Sequence, residues 1–378
     1  MNYGNRFLTG IVVDAGWLRA LHDGTVRCAA VGTCIVREYA CVMSLLSTGT
    51  YITVNSFDQI SSRTMEALQN KPLAFSSDNN LVSASSRSPL GTKDGTLLNI
   101  ELFFDSETND DSPILLFTHG VGGSAETLGV QAIVAAAKKY KVKVAVLELE
   151  GHGLSSGARM VCGDFDRVLG HVLEFVQHSV PALRGNSNAP FFMTGNSLGG
   201  VLSIYAAEEI SKKKVAYPSN FKGLATICPA VGVDSNKVPS APIVLALSIL
   251  STIAPSLQIS LTPLEDPASY NCPSDSERNF SGHWPLGTSK MLLDVTSTKV
   301  KSDVKTRKVS LKSVDNVLVF AGEKDDVVPF DSVKSFHDAI SPSGKDFVSV
   351  NAGHDMMFFE ESAKVVTSAL FDWIVSKQ

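Results

Sequence analysis

No apolar run in this chain reaches the roughly 18 residues that a membrane-spanning helix requires. Basic residues are not in excess either. Lys and Arg number 33 against 38 Asp and Glu, a net charge of −5, so the chain offers no electrostatic footprint for nucleic acid. The cysteines at 28, 34, 41, 162, 228 and 272 include no Cys-x-x-Cys pair and no metal-like spacing. They read as reduced, partly buried thiols, with disulfides as the alternative that their even number leaves open. The single glycosylation sequon, Asn279-Phe280-Ser281, would matter only in a secreted protein. What remains is a chain of 378 residues, 44% apolar and 19% charged, the composition of an ordinary soluble globular protein with room for a large core and one or two domains.

Residues 1–88 differ from the rest. They show little periodicity and end in a Ser/Asn-rich stretch from Ser76 to Ser88 that reads as a linker. A poorly ordered extension is the first expectation for them, with a small add-on unit and a targeting segment as alternatives. Arg6, Arg19, Arg27 and Arg37 are in the style of a transit peptide, but Asp14 and Asp23 count against one. From about Gly91, strands and helices alternate. Leu98–Phe104 reads as a strand following the Asp94-Gly95 turn, and Pro113–Thr118 and Val142–Leu149 as β-branched strands buried on both faces. Helices are expected over Ser124–Tyr140, Phe165–Gln177, Leu198–Lys212 and Ser362–Lys377. Further strands are expected at Phe191–Thr194, Lys222–Cys228, Asn316–Ala321 and Phe347–Asn351. The pattern is α/β, a doubly wound and mostly parallel sheet, interrupted by one insertion at about 230–300.

Gly195-Asn196-Ser197-Leu198-Gly199 lies between the strand Phe191–Thr194 and the helix that opens at Leu198. A Gly-x-Ser-x-Gly in that setting describes a strained strand-to-helix turn that lifts a serine hydroxyl clear of the sheet edge. Such a serine needs a base, and the base needs an acid to orient it. Of eight histidines, His354 alone follows the last expected strand, in Asn351-Ala352-Gly353-His354-Asp355. The preceding strand ends in Gly322-Glu323-Lys324-Asp325-Asp326-Val327-Val328-Pro329, which supplies the carboxylate. The order Ser197, Asp325, His354 suits this topology. Two backbone amides must receive the developing oxyanion. Leu198 offers one at the helix N-terminus, and Val121 in His119-Gly120-Val121-Gly122-Gly123 offers the other. His119, His152, Glu148 and Glu150 read as structural hydrogen-bonding groups. His171 and His178 read as a solvated helix face, as does the basic run from Lys299 to Lys312.

These motifs, with Glu148-Leu149-Glu150-Gly151-His152-Gly153-Leu154-Ser155-Ser156-Gly157, resemble the monoacylglycerol lipase family of α/β hydrolases and its lysophospholipase-like and S33 peptidase-like relatives. The resemblance covers about residues 90–378. Within the acidic pair it favours Asp325, because Gly322-x-x-Asp325-x-Val-Val-Pro329 matches the family's acid loop. Glu150 stands where relatives usually carry Arg, and Asn196 where His is common. The resemblance implies an α/β-hydrolase fold with a helical cap at about 230–300, no cofactor and no metal. It implies a serine hydrolase acting on carboxylic esters of single-chain lipids through an acyl-enzyme. Acyl transfer, or small-ester or peptide hydrolysis on the same triad, is the alternative chemistry; a non-catalytic ligand-binding relative is the alternative from another class. The stretch Ala241–Pro255 is apolar almost all round and makes a helix of about 20 Å, too short for a bilayer. It is either packed on the core or serves as a lid in peripheral contact with membrane. The expected location is cytoplasmic, with membrane association and organellar targeting through residues 1–88 both left open. The expected partner is an ester substrate; the sequence is silent on oligomeric state.

Overall fold

The computed structural model describes residues 82–378 apart from 163, 214–215 and 261–282. Expectations for residues 1–81, the sequon and Cys28, Cys34, Cys41 and Cys272 lie outside the described residues. The two described cysteines, Cys162 and Cys228, are free and buried.

An eight-stranded sheet organises the chain. In chain order its strands are β1 (Ser86–Arg87), β4 (Ile100–Phe103), β5 (Ile114–Thr118), β6 (Lys143–Leu147), β7 (Phe191–Asn196), β8 (Phe221–Ile227), β11 (Asn316–Gly322) and β12 (Gly344–Val350). They lie in the order β1-β4-β6-β5-β7-β8-β11-β12. The pairs β1/β4 and β4/β6 are antiparallel, and all the others are parallel. Strands β5 and β6 are buried at every position, as Val/Ile/Leu-rich runs covered on both faces should be. A small hairpin, β2 (Leu90–Gly91) with β3 (Leu97–Leu98), closes around the Asp94-Gly95 turn.

Helices cover both faces. On one side α1 (Leu128–Lys139) and α8 (Glu360–Ser376) bury Ile133, Val134, Val366, Leu370 and Phe371. On the other, α2 (Phe165–Arg184) and α3 (Leu198–Lys212) do the same, joined by α7 (Phe330–Ala339). Val168, Val172, Phe175, Val176 and Val180 recur along α2 at the helical spacing that makes one apolar stripe. This is the α/β-hydrolase arrangement.

Some boundaries shift for physical reasons. Helix α2 runs past Gln177 to Arg184 because Pro181 removes only one intrahelical donor. Gly185, at φ 59°, then ends it. Helix α1 starts at Leu128, since Ser124 and Thr127 form a separate turn in which the Thr127 Oγ1 hydroxyl donates to Ser124 O at 2.9 Å. Strand β12 begins at Gly344, on an edge whose residues are partly exposed and so lack an apolar signal. The boundary expected after residue 88 is corrected: Ser86 and Arg87 pair with Leu102 and Glu101, so the sheet takes its edge strand from the segment read as an extension. The Val82 amide also donates to Gln131 Oε1 at 2.9 Å.

The insertion follows β8. It carries α4 (Ala241–Ile253), a backbone pair β9 (Gln258–Ser260) with β10 (His283–Pro285), α5 (Leu286–Asp294), a π-turn over Val295–Lys299, and α6 (Val300–Lys305). Helices α5 and α6 are fixed to the body of the protein. Thr288 Oγ1 donates to Met160 O at 2.6 Å, and Tyr205 Oη donates to Asp303 Oδ2 at 2.8 Å. Helix α4 buries none of its residues. Leu245, Ile249 and Ile253, spaced one turn apart, are 61%, 41% and 62% exposed. Among the described residues, no helix is long and apolar enough to cross a membrane.

Candidate active site

Strand β7 delivers Ser197 at its carboxyl end. The backbone there is at φ 51°, ψ −117°, a region costly for a residue with a side chain and held only because its surroundings over-determine it. Two hydrogen bonds to neighbouring segments supply part of that: Ser197 N donates to Ile227 O at 3.0 Å, and Ala230 N donates to Ser197 O at 3.0 Å. The flanking glycines are demanded by contact. A Cβ at Gly199 would lie 2.0 Å from Thr118 O, and one at Gly195 2.4 Å from Gly199 O.

His354 and Asp325 come from loops after β12 and β11. His354 Nε2 lies 3.0 Å from Ser197 Oγ, and His354 Nδ1 lies 2.8 Å from Asp325 Oδ2. The second carboxylate oxygen accepts the amides of Val327 and Val328 at 2.9 and 2.7 Å, which locks the acid's orientation. Asp326, the adjacent acid, is exposed. Burial by itself would lower the His354 pKa, but the Asp325 carboxylate outweighs it and holds the value well above 6.5. The arrangement stabilises a charged imidazole between an acid and a hydroxyl, as proton transfer from serine requires.

Val121 lies in the loop after β5, against the serine turn. The Gly120 amide donates to Asn196 Oδ1 at 3.0 Å, so the residue standing in place of the more common His ties this loop to the elbow. Among the described residues, no protein acceptor takes the amide of Val121 or Leu198. Both remain available for an oxyanion.

The Gly151–Gly157 motif plays a different part. Its glycines at 151, 153 and 157 all have positive φ. Buried Glu148 accepts the amides of Ala125 (3.0 Å) and Leu154 (2.6 Å) and the side chain of Asn99 (2.9 Å). A Cβ at Gly153 would lie 2.0 Å from the Glu148 carboxyl carbon. Glu150 makes a two-pronged ion pair with Arg167 at 2.6 and 3.0 Å, a local partner for the acid where relatives usually carry Arg. His119 bonds to Gly120 O through Nδ1 (2.7 Å) and accepts the Leu149 amide at Nε2 (3.1 Å). Burial lowers its pKa to about 4 and that of neighbouring His152 to about 3, so both are neutral structural groups.

One expectation fails here. His171 is not on a solvated face: it is buried, 2.9 Å from Asp94 Oδ2, because the β2–β3 turn folds over α2. His178 is half-buried and meets Ser88 Oγ at 2.7 Å. The basic run does face solvent at Lys301, Lys305, Arg307 and Lys312, whereas Lys299 pairs with Asp303 at 3.3 Å. Sequence reasoning also missed Cys228, which sits beside Asp325 and His354. A lone cysteine before a proline carries no signal of that placement.

A serine, a histidine and an aspartate converging above the carboxyl edge of a mostly parallel sheet, with the serine on a strand-to-helix elbow, define an α/β hydrolase. Residues 110–362 match the family described as serine aminopeptidase, S33, and the chain belongs to that family. The rat monoglyceride lipase is 28% identical over 147 residues, which are 39% of this chain and 44% of the lipase, so the match spans less than half of that relative. The caffeoylshikimate esterase of Arabidopsis thaliana is 24% identical over 271 residues, 69% of this chain and 76% of its own. Among solved structures, a soluble variant of monoglyceride lipase from Saccharomyces cerevisiae, in complex with a substrate analog, superposes with a TM-score of 0.62. It covers 82% of this chain and 99% of its own at 14% identity, a likeness of fold.

Proposed function

We propose that this protein is a serine hydrolase that cleaves carboxylic esters of single-chain lipids through an acyl-enzyme. Ser197 Oγ attacks the ester carbonyl as His354 Nε2 takes its proton, and Asp325 holds Nδ1–H and steadies the imidazolium. The amides of Val121 and Leu198 receive the oxyanion. His354 then protonates the departing alcohol, and water repeats the sequence to release the acid. The observation that carries this reading is the continuous contact from Ser197 Oγ through His354 to Asp325, at 3.0 and 2.8 Å.

The lipid preference is supported by the names of the lipase relatives and by α4, whose exposed apolar stripe suits a lid in contact with a micelle or membrane surface. A small-ester reading is favoured by one observation: the match to the caffeoylshikimate esterase spans more of the chain than that to the rat lipase. Labelling with a fluorophosphonate tests the chemistry. Native protein should label and Ser197→Ala should not; equal labelling of the two would remove the proposal. Turnover across monoacylglycerols, lysophospholipids, short esters and aminoacyl amides would then rank the substrates, and a preference for short or aromatic esters would overturn the lipid assignment.

A further inference from the structure

Cys228 follows β8 with a positive φ of 42°, its amide bonded to Phe320 O at 2.9 Å, and its buried thiol is hydrogen-bonded to His354. Its Sγ, a carboxylate oxygen of Asp325 and a ring nitrogen of His354 all lie within 4.8 Å of one another. His354 Nδ1, 2.8 Å from Asp325 Oδ2, is the ring nitrogen taken as the third donor. We propose that this cluster is an inhibitory site for a soft divalent cation, for which Zn2+ and Cd2+ are the probes.

The donor set is the reason. Thiolate and imidazole select Zn2+ and its thiophilic neighbours, whereas Mg2+ and Ca2+ seek several oxygens. Three protein ligands leave the fourth tetrahedral position to water. Bonds of about 2.3 Å to sulfur and about 2.0 Å to nitrogen and oxygen place the donors of such a site about 3.5 Å apart. Closing from at most 4.8 Å therefore needs side-chain movement of about an ångström. The donors come from three segments, the loops after β8, β11 and β12, which the sheet already holds together.

On binding, the Cys228 thiol releases one proton to solvent and its sulfur pair goes to the metal. The proton that Nδ1 holds against Asp325 also leaves to solvent while the ring keeps one on Nε2, freeing the Nδ1 pair for the second bond, and Asp325 passes from the imidazole to the metal. An Nε2–H facing Ser197 Oγ, which lies 3.0 Å away, cannot accept the serine proton. Turnover stops with the metal bound at the back of the base and nothing bound in the acyl site. The effect on turnover rests on the serine hydrolase reading; the binding does not.

The test separates the two. Full-length Ser197→Ala, titrated with Cd2+, should show thiolate-to-metal charge-transfer absorption that saturates at one equivalent, is displaced by Zn2+ and is lost in Ser197→Ala/Cys228→Ser. In the protein with Ser197 intact, Zn2+ should inhibit ester turnover and a chelator should restore it, while Mg2+ and Ca2+ at the same concentration do nothing. With each protein's activity normalised to its own metal-free rate, Cys228→Ser should raise the inhibitory Zn2+ concentration at least about tenfold over that of the native protein. Cys228→Ala serves as the second variant if the serine form does not fold. The same absorption with and without Cys228, or the same Zn2+ sensitivity, would overturn the proposal. A protein that binds Cd2+ through Cys228 yet has no esterase activity would keep the site and refute the hydrolase reading instead.

Discussion

Asp325→Asn removes a charge and almost no volume, so its effect isolates what the acid does. In the native structure one carboxylate oxygen faces His354 Nδ1 at 2.8 Å while the other accepts the Val327 and Val328 amides at 2.9 and 2.7 Å. An asparagine cannot serve both sides. If its oxygen stays with the two amides, its NH2 group points at Nδ1, and the ring must present a lone pair there and carry its proton on Nε2. That proton then faces Ser197 Oγ, 3.0 Å away, and the base is lost. If the amide flips, two backbone donors lose their acceptor, at about 1 kcal/mol or more each. The first arrangement costs less in stability and is the one expected. Loss of tautomer control in such triads lowers turnover by about 10⁴, equivalent to about 5.5 kcal/mol of barrier. Turnover of a soluble chromogenic ester should therefore fall by three to four orders of magnitude, on the scale of about 10⁴ for this change, with the thermal midpoint nearly unchanged. Asp326→Asn, at an exposed neighbour, should stay within about threefold, as surface substitutions do. A loss below about tenfold for Asp325→Asn, or a larger loss for Asp326→Asn, would refute the assigned geometry.

Four further outcomes are expected. Gly153→Ala places a Cβ 2.0 Å from the Glu148 carboxyl carbon at φ +49°, so it should lower the melting temperature by about 5–10 °C; an unchanged midpoint would mean that Glu148 moves aside freely. His119 and His152 have folded pKa values lowered to about 4 and about 3 from 6.5, so the stability they contribute is present above pH 6.5 and is lost as pH falls toward those values. Between pH 6.5 and 5 each should cost about 1.5 kcal/mol, read from urea midpoints, and His119→Gln should shrink the loss; an equal loss in the variant would remove His119 as its source. Compared with a chain beginning at Val82, one beginning at Pro89, lacking the Ser86–Arg87 strand, should melt lower; equal melting would make β1 dispensable. Leu245→Ser/Ile249→Ser/Ile253→Ser on exposed α4 should lower activity on micellar monoacylglycerol at least about tenfold and leave a soluble short ester within about twofold; equal effects on both would deny α4 an interfacial role.

The residues that meet at the candidate site were legible because they are written in local terms. Gly195 and Gly199 are required where a turn packs against the Thr118 carbonyl, and the two apolar neighbours of that turn announce a strand and a helix. Asp325 and His354 each lie in the loop after a strand, so chain order and strand position pointed to both loops, and the resemblance of the acid loop to the family chose Asp325 over Asp326. Strands β5 and β6 were legible for the same reason: full burial on both faces leaves an unbroken apolar run. Tertiary structure alone decided the rest. Ser86 and Arg87 carry no apolar pattern, and they become a strand only because β4 offers an unpaired edge. His171 looked like a solvent residue on its own helix, and Asp94, brought over by a hairpin distant in sequence, buries it. Helix α4 reads as apolar enough for a core, yet only its neighbours determine that its stripe stays uncovered. Cys228 is the sharpest instance: periodicity and turn chemistry report what a segment prefers, but which segments meet is set by the packing of the whole sheet, and that packing places a thiol beside the candidate acid and base.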